Sequence, residues 1–444
     1  MAIKQDATKG KAVRRRSFLK AAAGAVAAPS IISSAAVGSE KARPPSERIS
    51  LAIIGTGHRG RAHVNAFLRQ KDAQIVATCD PYKDRREREA KRIDNYYAKQ
   101  RGQGNYTGCK AYRDFREILA RDDVDAVVIV TPDHWHVPIA VAAARARKHL
   151  YLEKPVGLSI EWNKVCRDVC QRYDVVFQYG TQQRSMGHCR HGCELVLNGR
   201  IGELHTIKVK CPNGSSGGSA KPVPVPDGFD YDLWLGPAPM TPYTKDRCSG
   251  DWPKIGTYFV YDNCLGFLSG WGAHPLDIAV WGCDPDYTMP VEVWGTGDIP
   301  TEGLFDTVIN WRIEGRYANG VKFEFDAARG DSTTFIGSEG WVKISRSGND
   351  AKPKSLLGST IKPDELHLQE SHDHPGDFLN SIKSQTPTVS PVDVAVQSDF
   401  ISHVCDIAVR TGEKIEWDPE RETVLNGGQA ARMMDRSLRS PWHL

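Results

Sequence analysis

Short apolar runs alternate with helical patterns from residue 48 to about residue 180. Five of these runs are predicted to be strands: Ile49 to Ile54, Gln74 to Cys79, Ala126 to Thr131, His149 to Leu152 and Val175 to Tyr179. Such alternation is typical of a parallel, doubly wound α/β sheet with right-handed crossovers. Ligands of these sheets bind at the carboxyl ends of the strands. Polar residues that directly follow a strand are therefore the first candidates for a binding site.

After about residue 180 the pattern changes to runs in which apolar and polar residues alternate. The strands predicted there are Glu203 to Lys210, Val291 to Gly297, Thr307 to Ile313, Val321 to Phe325 and Trp341 to Ile344. This alternation predicts an antiparallel sheet with one face available for packing.

An insertion rich in Gly, Ser and Pro covers residues 212–253. Loops this long in a compact domain are usually functional or disordered. Its aromatic residues, Tyr231, Trp234, Tyr243 and Trp252, could form an ordered wall that stacks on a ligand such as a sugar ring. The alternative is that they only pin the loop to its own domain.

The clearest motif follows the first predicted strand, where Gly55, Gly57 and Gly60 form a G-x-G-x-x-G turn. The first glycine permits the tight turn, the second leaves room for a pyrophosphate, and the third lets the helix pack close to the strand. Amides at the helix start, around His58 and Arg59, would face the phosphates. The pattern predicts a dinucleotide-binding site.

Asp80 ends the second predicted strand and is placed to accept hydrogen bonds from the ribose hydroxyls of the dinucleotide. The same carboxylate would repel a 2′-phosphate, which favours NAD over NADP. Lys83, Arg85 and Arg86 lie close behind it, so NADP stays an alternative.

The N-terminus resembles a twin-arginine export signal, with Arg15-Arg16-Ser17-Phe18-Leu19-Lys20 before an Ala-rich stretch. We expect a signal peptide over residues 1–38, a linker over residues 39–47 and a periplasmic or otherwise exported protein. The alternative is a basic arm before a short amphipathic helix. Because a periplasm offers no free NAD pool, an exported enzyme would have to hold its dinucleotide tightly.

Composition narrows the partners of this chain. The formal net charge of its 444 residues is +4, and part of that charge lies in the N-terminal segment, so nucleic acid is not expected as a partner. No other stretch has the roughly 20 continuous apolar residues of a spanning helix, so no membrane span is predicted.

One segment has the spacing of metal ligands, at His188, Cys189, His191 and Cys193. The same segment has the apolar period of a packed helix, so no metal is predicted.

Three polar clusters follow elements that should converge on the nicotinamide: Glu153-Lys154-Pro155, Thr181-Gln182-Gln183-Arg184-Ser185 and Gly270-Trp271-Gly272-Ala273-His274-Pro275-Leu276-Asp277. A further segment, Thr131-Pro132-Asp133-His134-Trp135-His136, directly follows a strand and should lie at the carboxyl edge of the sheet. Together with the glycine turn, these motifs make residues 48–444 resemble the Gfo/Idh/MocA oxidoreductase family. Within it, the chain looks closest to the twin-arginine-exported, carbohydrate-associated members.

The resemblance implies a Rossmann NAD-binding domain over residues 48–180 and an α+β domain with an open-faced, mainly antiparallel sheet over residues 181–444. The second domain would bind substrate and mediate a homodimer or homotetramer. Hydride would pass between a sugar carbon and NAD(P). Lys154 would contact the nicotinamide and the reacting oxygen, Pro155 would be cis, and His274 would be the general acid and base.

The chemistry agrees with these roles. Oxidising a hydroxyl requires a base, and a histidine near its unperturbed pKa of ~6.5 serves both directions. A lysine ammonium stabilises the developing alkoxide. Asp277, one turn after His274, could orient the imidazole. Many family members carry an aspartate three or four residues before this histidine, where this chain has Trp271 and Gly270. Asp277 or Asp262 could substitute for it.

The predicted contacts form two sets. Cofactor contacts are expected from Gly55, Gly57, His58, Arg59, Gly60, Asp80, Thr131, Pro132, His134, His136, Glu153, Lys154 and Gln182. Substrate contacts are expected from Arg184, Tyr258, Tyr261 and Trp271.

Three functions follow from this interpretation. The first is an exported NAD-dependent oxidoreductase acting on a pyranose or glycoside hydroxyl. The second is a redox glycosidase or lyase, in which transient oxidation at one carbon acidifies its neighbour and the aglycone is eliminated. This function needs a second base, for which Tyr179, Tyr258, Tyr261 and His136 are candidates. The third is a non-catalytic sugar-binding protein. The glutamate-valine-proline variant and the histidine motif of the exported α-N-acetylgalactosaminidases are absent, so that substrate is not assigned.

Overall fold

In the computed structural model, which describes residues 47–102, 104–250, 255–287 and 289–444, the first part of the chain forms a six-stranded parallel sheet. Its strands are β1 (Ile49–Ile54), β2 (Ala73–Cys79), β3 (Lys110–Tyr112), β4 (Ala126–Ile129), β5 (His149–Leu152) and β6 (Phe177–Tyr179). Their order is β3-β2-β1-β4-β5-β6. The connections leave β1 and β4 in opposite directions, which opens a crevice beyond the carboxyl ends of these two strands.

Helices cover this sheet. They are α1 (His58–Leu68), α2 (Lys83–Arg101), α3 (Phe115–Leu119), α4 (His136–Arg145) and α5 (Ile160–Arg172). The side chain of Ser159 caps α5 by accepting a hydrogen bond from the amide of Trp162 at 3.2 Å. The central strands β1 and β4 are apolar along their length because both faces of the sheet are covered there.

The second part of the chain builds a nine-stranded sheet. Its strands are β7 (Leu204–Cys211), β8 (Glu292–Asp298), β9 (Asn310–Arg316), β10 (Lys322–Ala327), β11 (Ser332–Gly337), β12 (Trp341–Ser345), β13 (Gly348–Lys352), β14 (Ile415–Asp418) and β15 (Thr423–Val424). The order is β13-β12-β11-β7-β10-β9-β8-β14-β15. Only β7 and β10 pair in parallel among the strand pairs of this sheet in the described ranges. The predicted fold class, a Rossmann sheet plus a mainly antiparallel sheet, is confirmed.

One face of this second sheet is polar and the other packs on helices. Along β9, Trp311 and Ile313 are buried while Arg312 and Glu314 between them are exposed. The helices of this part are α6 (Gly187–Leu197), α7 (Tyr231–Leu235), α8 (Phe267–Gly270), α9 (Ala273–Trp281), α10 (His374–Ser384), α11 (Val392–Thr411) and α12 (Gly428–Arg432). Every residue of α9 is buried. The long helix α11 packs against α9, α5 and β8, so it ties the two sheets together.

All eleven cysteines are buried thiols, and none of them forms a disulfide. Cys189 and Cys193 lie on α6 within the apolar core. Within the described ranges, no group of three or more His, Cys, Asp or Glu side chains is arranged to hold a metal ion. In the same ranges, no helix has the length and apolar character needed to cross a membrane. The predicted signal peptide, the linker up to residue 46 and Trp252 lie outside the described residues.

Candidate active site

A crevice of about 970 Å³, counting its open mouth, lies beyond the carboxyl ends of β1, β2 and β4. Among the predicted site residues, those that line it are Gly55, Gly57, His58, Arg59, Gly60, Asp80, Thr131, Pro132 and Tyr258.

The glycine turn has the shape that a dinucleotide requires. A Cβ on Gly55, whose φ is +92°, would lie 2.3 Å from the carbonyl oxygen of Val130. A Cβ on Gly60 would lie 2.0 Å from the carbonyl oxygen of Gly55. A Cβ on Gly57 would lie 3.5 Å from its nearest neighbour, the Nη1 of Arg85. The space beside Gly57 on the crevice side is therefore open. No side chain caps α1, and its first amides are therefore available to a phosphate.

Asp80 holds a fixed position at the end of β2. Its Oδ2 accepts hydrogen bonds from the amide and hydroxyl of Thr56, at 2.8 and 3.1 Å, and its Oδ1 accepts one from the amide of Tyr82 at 2.9 Å. Burial raises the pKa of Asp80, and Arg85 and these hydrogen bonds partly oppose that rise. The carboxyl group is thus oriented before any ribose binds.

Part of the insertion covers this end of the crevice; we call residues 226–250 the roof segment. The rings of Phe229 and Tyr82 stack with centroids 3.6 Å apart and planes 8° apart. The carbonyl of Gly228 accepts a hydrogen bond from the amide of Lys83 at 2.8 Å. The roof segment contributes Leu233, Trp234, Cys248 and Gly250 to the crevice lining.

The roof segment is also fastened to the loop that follows β4. The indole of Trp135 donates to the carbonyls of Leu233 and Trp234, at 3.0 Å each. The Nε2 of His134 lies 2.9 Å from the carbonyl of Trp234. His134 is fully buried and does not line the crevice, which corrects the expectation that it contacts the cofactor.

Packing explains the aromatic residues of the insertion better than sugar stacking does. Trp234 and Tyr243 are buried in one cluster with Phe229, and Tyr231 packs against them. Of these residues, only Trp234 lines the crevice. The cluster attaches the roof segment to the first domain through Tyr82, rather than to the insertion's own domain.

His136 joins two loops. Its Nδ1 lies 2.6 Å from the carbonyl of Pro155 and its Nε2 lies 2.9 Å from the carbonyl of Thr131. Both nitrogens are therefore engaged by the main chain, so His136 neither lines the crevice nor is available as a base. This corrects both roles predicted for it.

Lys154 reaches from the first domain to the second. The peptide bond between Lys154 and Pro155 is cis. The ammonium donates a hydrogen bond to the carbonyl of Gly270 at 2.7 Å and lies 5.5 Å from the ring centroid of Tyr258. Gly270 is one of the positions at which many family members carry an aspartate, and here its main-chain carbonyl accepts the hydrogen bond from Lys154.

Glu153 is the acceptor of a buried cluster beside Lys154. Its Oε1 accepts from the guanidinium of Arg59 at 2.7 Å, from Gln182 at 3.0 Å, and lies 2.7 Å from the Nε2 of His63. Burial alone would raise the pKa of Glu153, but Arg59 and His63 hold it well below its usual range. Glu153 and Gln182 do not line the crevice. Glu153 holds Arg59, which does line it, and Gln182 donates to Glu153, so their predicted direct contact with the cofactor is corrected.

His274 lies in the first turn of α9, just after the carbonyl that holds Lys154. It is buried, and its Nδ1 has no hydrogen-bond partner in the described part of the chain. Burial, with Arg346 and Lys154, lowers the pKa of His274 well below 6.5. The imidazole is therefore neutral at neutral pH, and the expectation of an unperturbed histidine is wrong. The ring of Trp271 lies 6.4 Å away, edge-on.

Asp277 does not orient His274. Its two carboxylate oxygens accept hydrogen bonds from the Nε and Nη2 of Arg184, at 2.7 and 2.9 Å, and Ser398 donates a third at 2.8 Å. Both charged side chains are almost fully buried, where each charge requires an opposite partner. The pair joins α9 to the segment after β6. Neither the catalytic role predicted for Asp277 nor the substrate contact predicted for Arg184 agrees with this position.

Tyr261 also lies outside the crevice. Its ring is held between the guanidinium groups of Arg410 and Arg436, at 3.5 and 3.8 Å, and its hydroxyl donates to Asp406 at 3.3 Å. Neighbouring Asp262 pairs with Arg247 and lines a second cavity. Neither the substrate contact predicted for Tyr261 nor the role of second acid considered for Asp262 fits these positions.

The geometry agrees with the result of comparison with known families. Residues 49–181 match the NAD-binding Rossmann fold of the oxidoreductase family, and residues 213–444 match its C-terminal alpha/beta domain. The chain belongs to the Gfo/Idh/MocA oxidoreductase family. This member therefore has the family's NAD-binding domain and the oxidoreductase fold that accompanies it.

Curated relatives resemble a shorter part of this Gfo/Idh/MocA protein. A glycosyl hydrolase family 109 protein of Shewanella sp. is 37% identical over 212 residues, which is 43% of this chain and 44% of the relative. An alpha-N-acetylgalactosaminidase of Shewanella oneidensis is 32% identical over 165 residues, 34% of this chain and 35% of the relative. The chain thus matches less than half the length of these relatives.

Solved structures share the fold. GenD2 from gentamicin A biosynthesis, in complex with NAD, has a TM-score of 0.60 at 17% identity and covers 86% of this chain and 98% of its own. A scyllo-inositol dehydrogenase from Lactobacillus casei, with bound NAD(H) and scyllo-inositol, has a TM-score of 0.54 at 18% identity and covers 83% of this chain and 99% of its own. At these identities the likeness establishes the fold alone.

Proposed function

We propose that this protein is an exported oxidoreductase that transfers hydride between a hydroxyl-bearing sugar carbon and tightly held NAD, with Lys154 and His274 as the reacting pair. One observation carries the proposal. The ammonium of Lys154, at the carboxyl edge of the NAD-binding sheet, is fixed by the carbonyl of Gly270, and His274 follows in the next turn. Lys154 and His274 do not line the crevice themselves, but the ammonium lies 5.5 Å from the ring of Tyr258, which does.

Bound NAD would supply the hydride acceptor. Neutral His274 would take the proton of the sugar hydroxyl, and its lowered pKa keeps it ready to do so at neutral pH. The ammonium of Lys154 would stabilise the negative charge that develops on the same oxygen. In the reverse direction the imidazolium returns the proton to the carbonyl oxygen.

The substrate class rests on the relatives. Two proteins similar to this chain are named for sugar or cyclitol substrates, an alpha-N-acetylgalactosaminidase and a scyllo-inositol dehydrogenase. Half-buried Tyr258 and Trp271 are the aromatic side chains nearest to Lys154 and His274, and they would flank a sugar ring.

Tight retention of NAD and export belong to the same proposal. The roof segment is attached on both sides of the crevice, by Tyr82 at one edge and Trp135 at the other. We infer that these contacts slow the release of a cofactor beneath the roof segment. Export rests on the twin-arginine pattern of residues 1–38, and the homodimer or homotetramer stays a prediction for the polar face of the nine-stranded sheet.

A second candidate function is a redox glycosidase or lyase, and the roof segment favours it. An enzyme that cannot exchange its dinucleotide quickly must regenerate it within each cycle, and elimination followed by reduction does so. The glycosyl hydrolase family 109 names of the relatives are consistent with this chemistry.

The test is incubation of the purified protein, with no added cofactor, with a panel of p-nitrophenyl glycosides. A keto-sugar at no more than one per site, with bound NADH, supports the dehydrogenase. Multiple-turnover release of nitrophenol supports the glycosidase. Lys154→Ala and His274→Ala should abolish both signals, and Lys343→Ala, an exposed lysine on β12, should change neither. Wild-type turnover by the first two variants would refute the assigned roles, and protein isolated without NAD would refute tight retention.

A further inference from the structure

Cleavage by the second candidate function needs a base besides His274, and the structure narrows the choice. His136 and Tyr261 are held by other groups, as described above. Tyr179, at the end of β6, is fully buried and does not line the crevice. Tyr258 lines the crevice, but burial raises the pKa of its phenol, so it remains a proton donor. None of the four predicted candidates is therefore a base in the crevice.

Asp133 is a candidate base whose side chain does lie in the crevice. It follows β4 by four residues, begins the short turn Asp133–Trp135 and lines the crevice. The residue is 5% exposed, and its Oδ2 has no hydrogen-bond partner within the described ranges. The hydroxyl of Thr131, also in the crevice lining, is buried without a partner. Buried acceptors are almost always hydrogen-bonded, so two such groups in one loop indicate a ligand with donors.

The surroundings of Asp133 make its carboxylate a stronger base than an ordinary aspartate. Burial raises its pKa, and this outweighs the lowering by His136, by a hydrogen bond from the Cys264 thiol and by Lys154. Asp399, on α11, adds to the rise. The other ionisable groups that interact with it are Tyr258 and Tyr179.

We propose that Asp133 is the second proton-transfer residue of this site, and that its carboxylate takes the proton from the sugar carbon next to the oxidised one. The inference rests on the proposed function. As that C–H bond breaks, the proton passes to Asp133 and the electron pair forms a double bond to the anomeric carbon. The bond from the anomeric carbon to the leaving group breaks with its electrons. The leaving oxygen takes the proton that His274 gained during oxidation.

The cycle then closes without an outside reagent. Water adds its oxygen to the anomeric carbon and gives its proton to His274, while Asp133 returns its own proton to the neighbouring carbon. The ketone then regains the hydride on carbon and takes the proton from His274 on oxygen. The net reaction is hydrolysis of the glycosidic bond, and Asp133 is again a carboxylate at the end of the cycle.

The experiment uses the full protein in D₂O with the p-nitrophenyl glycoside that gives bound NADH. NADH absorbance reports oxidation, and mass spectrometry of the recovered sugar reports deuterium at the adjacent carbon. We expect Asp133→Asn still to form NADH but to lose at least about 100-fold in deuterium exchange relative to the NADH formed, since general-base catalysis contributes about 10²–10⁴-fold. Asp133→Glu, which keeps a carboxylate, should retain part of the exchange, and exposed Asp122→Asn should match the wild type.

Two results overturn the inference alone. One is exchange at the wild-type rate in Asp133→Asn. The other is a wild-type protein that forms NADH without any deuterium exchange. This second result needs no variant, so it tests the inference even if Asp133→Asn does not fold. A wild type that forms no NADH with any glycoside refutes the proposed function, and the inference with it.

Discussion

The Arg184–Asp277 pair provides a direct test of how α9, and with it His274, is held in place. The perturbation is Asp277→Asn, which removes the charge and keeps the shape. In the folded protein the carboxylate is 0% and the guanidinium 5% exposed, and two hydrogen bonds of 2.7 and 2.9 Å join them. The variant leaves the guanidinium buried without an opposite charge.

The expected loss of stability is about 3–5 kcal/mol, the cost of breaking a buried ion pair by removing one partner. The double variant Arg184→Met with Asp277→Leu should recover most of this loss, because apolar replacement of a whole buried pair is often neutral or stabilising. Urea unfolding followed by circular dichroism measures the free energy of unfolding of the single and the double variant. Exposed Asp364→Asn is the control and should stay within about 0.5 kcal/mol of the wild type.

The reasoning fails if Asp277→Asn unfolds at the wild-type urea concentration while losing sugar-dependent reduction of its bound NAD. That result would place Asp277 in the chemistry, as its sequence position beside His274 first indicated. The opposite result, a destabilised variant that reduces NAD normally where it is folded, would assign the pair to structure.

Three further predictions concern the crevice. Because the pKa of His274 lies well below 6.5, NAD reduction should stay constant as pH falls past 6.5 and decline only as pH passes through that lowered pKa; a pre-steady-state pH profile with a midpoint at or above 6.5 contradicts this. Asp80→Ala should shift the ratio of NADP to NAD affinity towards NADP by about tenfold, or about 1.4 kcal/mol, in binding titrations, and an unchanged ratio would exclude the carboxylate from the choice. Phe229→Ala should release NAD about 2- to 10-fold faster, since stacked rings contribute about 0.5–1.5 kcal/mol beyond burial, and unchanged release would show that its stack on Tyr82 does not retain the cofactor.

Local signals account for what could be predicted from the sequence. The apolar runs of β1 and β5 and the turn at Gly55 depend on residues close together in the chain, and they appear in the structure where predicted. Strands β3 and β13 were missed because they are short and largely polar, and their pairing is decided by neighbouring strands.

The errors at the site have a different cause. His274 and Asp277 are one turn apart, but Arg184, distant in sequence, takes the carboxylate. His134 and His136 lie in a loop that faces the crevice, yet their rings turn towards main-chain carbonyls of other segments. Spacing along one element predicts which residues are near the site. It does not predict which partners from elsewhere in the chain will bind them.

The eleven buried thiols have a consequence for the proposal that this protein is exported to an oxidising compartment. A cysteine reacts as its thiolate, and burial raises the pKa of residues such as Cys193 and Cys211 well above the usual range, so the folded protein offers little for an oxidant to attack. Once unfolded, the same chain exposes every thiol and can form wrong disulfides. In such a compartment unfolding would be irreversible, so the working lifetime of the protein would be set by its unfolding rate rather than by its equilibrium stability.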